Sequence, residues 1–270
     1  MSFIEQLTQN TRKSGSLLCL GLDPDIERLP PHALREPHPL FAFNRAIIDA
    51  THDLVCAYKP QIAYYNAIGA ENQLQMTMEY LKSEYPHIPV ILDAKRNDIG
   101  ATAKQYAIEA FERYCADAIT VNPYLGQDSL QPFLDYSDKG VIILCHTSNP
   151  GAKEIQELLV DGRPLYEKIA QLAATRWNNA GNVGLVVGAT YPQSIARVRD
   201  IVGDMPLLIP GVGTQGGDVA AVVQHGKTAN GEGLIINVGR AILYASQQED
   251  FAAVARLKTM EFNTLINQYR

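Results

Sequence analysis

Charged residues at the ends of apolar runs give the first sign of chemistry. The segment Ile91-Leu92-Asp93-Ala94-Lys95-Arg96-Asn97-Asp98-Ile99 sets a carboxylate and an ammonium two residues apart. On a strand that spacing puts both on one face, with Leu92 and Ala94 on the other. A second apolar run ends Tyr58-Lys59-Pro60. If the two strands are neighbours, Lys59, Asp93 and Lys95 form an alternating row, to which Asp98 adds a fourth charge. Taking such charges out of water is costly unless they are paired. A single pair reads equally well as a structural salt bridge. A row at one rim reads as a site whose work is electrostatic. Asp93 and Asp98 could also be metal ligands, but the interleaved lysines take up the space and charge that a hard cation needs. No metal is expected.

Two glycine-rich turns suggest an anion holder. Pro210-Gly211-Val212-Gly213-Thr214-Gln215-Gly216-Gly217-Asp218 and Asn237-Val238-Gly239-Arg240-Ala241-Ile242 each follow an apolar run. Glycine lets backbone N–H groups approach a ligand closely. Arg240 adds a forked cation suited to phosphate.

The elements that must position these groups alternate along the chain. Eight short runs rich in Val, Ile and Leu read as parallel strands covered on both faces: 16–23, 54–60, 88–95, 117–123, 140–148, 183–190, 206–213 and 233–240. Between them, 41–53, 66–85, 102–115, 165–179, 192–202 and 218–224 carry apolar residues at helical spacing. A short segment, 128–135, follows the fourth run, and a helix near 249–268 closes the chain. Eight strand–helix units with right-handed crossovers predict a (β/α)₈ TIM barrel spanning residues 1–270 as a single catalytic domain, in preference to an open doubly wound sheet. A helix over 3–12 is placed to plug the base. In such barrels the strands' C-terminal ends carry function, and the loops after strands seven and eight form a recurrent phosphate site. The candidates Asp23, Lys59, Asp93, Lys95, Ser148, Gln215, Gly239 and Arg240 all fall at that rim. The long loop 149–163, read without structure of its own, is either a lid or a plain surface excursion.

Composition narrows the function classes. The 270 residues are 46% hydrophobic and 19% charged, with a formal charge of −6 and no long basic run, which disfavours a nucleic-acid partner. Cys19, Cys56, Cys115 and Cys145 form no C-x-x-C pair and read as buried reduced thiols. With no leader-like N-terminus and no apolar stretch of bilayer length, a cytoplasmic protein without a membrane partner is expected. The six histidines offer no competing site: His32, His38, His52, His87 and His225 read as solvated, and His146 as a residue sharing the inward face of Ser148.

The pattern D-x-K-x-x-D-I at Asp93–Ile99 resembles the signature of the orotidine 5'-phosphate decarboxylases, in their longer bacterial group. Gly21-Leu22-Asp23-Pro24, Tyr58-Lys59-Pro60, Thr147-Ser148-Asn149-Pro150-Gly151, the Pro-Gly-Val-Gly turn with Gln215, and Gly239-Arg240 resemble further parts of that family, over roughly residues 16 to 245. The resemblance implies decarboxylation of orotidine 5'-phosphate to uridine 5'-phosphate in de novo pyrimidine biosynthesis, with neither cofactor nor metal. It implies that Lys95 protonates C6, that Asp93 lies beside the leaving carboxylate, and that Lys59 orders the row and reaches the ribose. Asp98 and Thr102 would come from the neighbouring subunit of a homodimer with shared sites, Thr102 touching the ribose. Asp23 would also bind the ribose, Ser148 the pyrimidine amide, and Gln215, Gly239 and Arg240 the phosphate. Gly100 stands where shorter members often have proline. Two rivals are a magnesium-dependent sugar-phosphate decarboxylase or aldolase on the same barrel and a non-catalytic phosphosugar-binding barrel. The first would carry an acid where Lys59 stands; the second would need no buried Lys–Asp row.

Overall fold

A computed structural model of the chain describes residues 1–213 and 217–270. Eight parallel strands form one sheet: β1 (Leu18–Leu22), β2 (Ala57–Pro60), β3 (Ile91–Arg96), β4 (Ala118–Val121), β5 (Gly140–His146), β6 (Val183–Val187), β7 (Leu207–Ile209) and β8 (Leu234–Val238). Their order is β2-β1-β8-β7-β6-β5-β4-β3. The two ends of the sheet meet through bridges Tyr58–Val90 and Gln61–Asp93, which close it into the expected barrel.

Side chains alternate between two cores, as strand pleating requires. One inward residue from each strand fills the barrel: Cys19, Ala57, Ile91, Ala118, Ile142, Val186, Leu208 and Ile235. The alternate positions, such as Leu18, Leu20 and Leu22, pack outward in the main core. The helix Phe3–Ser14, opened by a Ser2–Glu5 capping box, plugs the base as anticipated. Phe3 and Leu7 join the inner cluster. Gly140 makes room for Phe3, since a Cβ there would lie 2.3 Å from its ring.

Some elements differ from the sequence reading. The helix expected over 66–85 is split into Ala63–Asn66 and Glu71–Glu84, because Gly69 turns the chain with φ 65°. The stretches 102–115 and 165–179 are α-helices, Gly100–Ile108 and Leu165–Leu172, that run into π turns. The loop 149–163 is not structureless. It holds a helical turn, Ala152–Ile155, and a small hairpin pairing Leu159–Val160 with Arg163–Pro164. Cys115, at φ 51°, is exposed, whereas Cys19, Cys56 and Cys145 are buried. Among the described residues no helix is long and apolar enough to cross a membrane.

Candidate active site

The inward positions one step above the apolar ring are polar on four strands: Lys59 on β2, Asp93 on β3, Thr120 on β4 and Asn237 on β8. Lys59 Nζ donates to Asp93 Oδ2 at 2.7 Å, and Lys95 Nζ donates to Asp93 Oδ1 at 2.7 Å. The expected row is therefore present. It grades from dry to wet: the side chains of Lys59 and Asp93 are 4% and 9% exposed, and that of Lys95 is 45%. Burial alone would push the Asp93 carboxyl up, but the two ammoniums overcome it and hold it below the usual carboxylate range. Burial likewise opposes the charge on Lys59, and Asp93 and Asp23 together override it and raise its pKa.

Asp93 and Lys95 do not meet through plain strand alternation. In the β3–β4 ladder Leu92 pairs with Ile119 and Arg96 with Val121, so Asp93, Ala94 and Lys95 together face Thr120 alone. This is a β-bulge, and Lys95 within it has φ 47°. A side chain held there costs about 1–2 kcal/mol. Thr120 Oγ1 accepts from the N–H groups of Ala94 and Lys95, each at 3.0 Å, and donates to Asp93 Oδ1 at 2.8 Å. The sequence reading missed Thr120. Its signal lay in the run Ala118-Ile119-Thr120-Val121, where a polar residue falls two places after an inward one.

Asp98 does not extend the row within its own chain. Among the described residues it makes no ion pair, and its carboxylate caps the N–H of Ile99 at 2.8 Å. Thr102 is exposed on the following helix. The chain thus brings together Lys59, Asp93 and Lys95, and leaves Asp98 and Thr102 on an outer rim.

Asp23 ends β1 near Lys59. Burial pushes its carboxyl up, against the pull of Lys59, and Oδ1 has no partner among the described residues. Asn97 Oδ1, Thr190 Oγ1 and Asn237 Oδ1, at the same ends of their strands, are also buried and have no partner among the described residues. Buried polar atoms are normally bonded, so these oxygens, all at the ends of strands, are acceptors open to a polar ligand. Tyr244 fixes the adjoining loop, accepting from Asp25 N at 2.6 Å and donating to Asp23 O at 2.9 Å.

Ser148 lies against the end of β6, where Gly188 admits it: a Cβ there would be 2.7 Å from Ser148 N. Gln156 ties the same loop down by accepting from Thr147 N at 2.8 Å. His146 does not share an inward face with Ser148. The ladder shifts between Leu144 and His146, and the ring stacks between Tyr166 and Tyr191, with centroids 4.5 and 4.7 Å away. Across the mouth, Gly213 approaches Ala241, next to Arg240, so the two glycine turns adjoin. Gly239 passes close to β1, where a Cβ would lie 3.5 Å from Asp23 Oδ2. Arg240 is exposed and acts electrostatically on Asp23. Gln215 lies outside the described residues.

Comparison with known proteins adds a family to this geometry. Residues 16–255 match the model of the orotidine 5'-phosphate decarboxylase / HUMPS family. The chain belongs to this family. Within it, the chain is 59% identical to the orotidine 5'-phosphate decarboxylase of Cellvibrio japonicus, with the whole of both sequences covered. Among solved structures, it resembles Leishmania donovani OMP decarboxylase with a TM-score of 0.84 at 39% identity, over 99% of each chain. It also matches Leishmania donovani UMP synthase with a TM-score of 0.88 at 41% identity, where the whole chain spans 56% of that longer protein.

Proposed function

We propose that this chain is an orotidine 5'-phosphate decarboxylase that forms uridine 5'-phosphate in pyrimidine biosynthesis. The observation that carries the reading is the Asp93 carboxylate held between two ammoniums at 2.7 Å each, in the mouth of a barrel of this family. Relatives matched over their full length bear the same activity in their names.

Breaking the C6–carboxylate bond leaves its electron pair in an orbital in the ring plane, which the ring's π system cannot delocalise. A fixed positive charge must stabilise it. The Lys95 ammonium does so and then transfers a proton to C6; solvent reprotonates the amine. At about 4 Å and an effective dielectric near 20, one such pair contributes roughly 4 kcal/mol. That corresponds to about three decades of rate. Preorganisation and remote phosphate binding supply the rest. Asp93 lies beside the leaving carboxylate, and Lys59 neutralises and orients Asp93. Asp23 takes a ribose hydroxyl, Ser148 the pyrimidine amide, and Gln215, Gly239 and Arg240 the phosphate.

The chain acts in the cytoplasm as one catalytic domain and as a homodimer. Asp98 and Thr102 enter the neighbouring site, in keeping with their lack of contact with their own row. The side chains do the chemistry without cofactor or metal, since a cation on Asp93 would have to displace two ammoniums and a hydroxyl. The deciding experiment follows the ultraviolet absorbance of orotidine 5'-phosphate with a chelator present. Steady loss of substrate is expected; strict dependence on an added divalent ion, or no turnover, would sink the reading.

A further inference from the structure

We infer that Thr120 is a positioning residue for proton delivery: its hydroxyl, seated in the β3 bulge, fixes both ends of Lys95. The reaction affected is the one proposed above; the assignment itself rests on the bulge.

A hydroxyl has one proton to give and two lone pairs. Thr120 uses all three on β3. Its lone pairs take the N–H groups of Ala94 and Lys95, which have lost their ladder partners, and its proton goes to Asp93 Oδ1. That same oxygen accepts Lys95 Nζ. A ring is thereby closed, from Lys95 N through Thr120 Oγ1 and Asp93 Oδ1 to Lys95 Nζ. The backbone of Lys95 is held at φ 47° at one side of this ring and its ammonium at the other.

The ring matters because Lys95 is the most exposed member of the row. A half-exposed lysine on a flexible stem samples many positions. Catalysis needs one, and misplacing a group by about 1 Å can cost on the order of 100-fold in rate. Packing alone does not call for a hydroxyl here. Thr120 faces inward two residues after Ala118, on a buried strand where valine would fill the same space. A buried hydroxyl is unfavourable unless it is bonded. Here it is bonded three times, each time to the segment that carries Asp93 and Lys95.

The test compares Thr120→Val, Thr120→Ala and Thr120→Ser in the full-length enzyme, reading kcat, KM and Tm. Thr120→Val and Thr120→Ala should lower kcat by about 100-fold while KM stays within about 3-fold, since the phosphate, ribose and pyrimidine contacts assigned above to Arg240, Asp23 and Ser148 lie outside the ring. Thr120→Ser should recover most of the lost kcat, because it keeps the hydroxyl. Wild-type kcat in Thr120→Val or Thr120→Ala would overturn the inference. So would a loss equally large in Thr120→Ser, or one that merely tracks Tm across the three variants. If Thr120→Val does not fold, Thr120→Ala against Thr120→Ser gives the same decision. Absence of turnover in the unsubstituted protein would instead strike the proposed function.

Discussion

The base and the mouth of this barrel are built from the same eight strands and treat charged groups differently. At the base, Asp117 sits just before β4 and accepts from Val90 N at 2.8 Å and from Lys82 Nζ at 2.5 Å. Asn10, on the plugging helix, donates to the carbonyls of Val55 and Cys56 at 3.0 and 2.9 Å. At the mouth, Asp23 and Asn237 each keep a buried oxygen without a partner among the described residues, and Lys95 adopts a backbone conformation that costs energy. The base ties its charged groups into the scaffold, although Asn182, which donates to the carbonyls of Tyr136 and Lys139, keeps one buried oxygen without a partner among the described residues. The mouth holds charge and strain next to acceptors that a ligand can engage.

Substitutions at the two ends should therefore separate turnover from stability. The largest effect is expected at the mouth. Lys95→Ala should lower turnover by at least about 1,000-fold, the roughly 4 kcal/mol attributed to its charge, while uridine 5'-phosphate still binds. Turnover close to wild type would remove Lys95 from the chemistry. Mixing inactive Lys95→Ala and Asp98→Ala subunits should restore about a quarter of wild-type activity, because half the dimers formed by random pairing hold one intact site. No recovery despite proven subunit exchange would mean that Asp98 acts within its own chain.

At the base the effect should reverse. Phe3→Ala empties the space beneath the inner ring and should cost about 3–5 kcal/mol of stability, read by chemical denaturation, with kcat of the folded protein unchanged. A large kcat loss would show that the two ends are coupled.

The smallest effect concerns His146, beside the mouth. Burial lowers its pKa below 6.5, and Glu157, with Oε1 3.4 Å from Nε2, only partly offsets this. The unfolded chain then binds the proton more readily than the folded one. Stability should fall as the pH drops below about 6.5. In His146→Phe that part of the Tm profile should flatten. A slope as steep as wild type would place the titration elsewhere.

The row of Lys59, Asp93 and Lys95 was legible because each residue ends an apolar run, and burying such charges has few uses besides chemistry. The way they meet was not legible. Period-two reasoning put Asp93 and Lys95 on one face of a regular strand, whereas a bulge against Thr120 brings them together. Nothing local in Asp93-Ala94-Lys95 announces a bulge; its N–H groups find their acceptor in a hydroxyl on the next strand, 25 residues along the chain from Lys95. His146 was misplaced for the same reason, since the register shift in β5 comes from pairing with β6. The segment 149–163 hides its turn and hairpin because both are short and polar residues are scattered through them.

By itself the sequence determined the eightfold strand–helix alternation, the plug, and which rim carries charge, because hydrophobic periodicity and turn chemistry act over a few residues. Tertiary structure decided how Thr120, Asp93 and Lys95 interlock and why Asp98 stands apart from its own row. Those outcomes depend on register between strands, which long-range packing fixes and local sequence does not record.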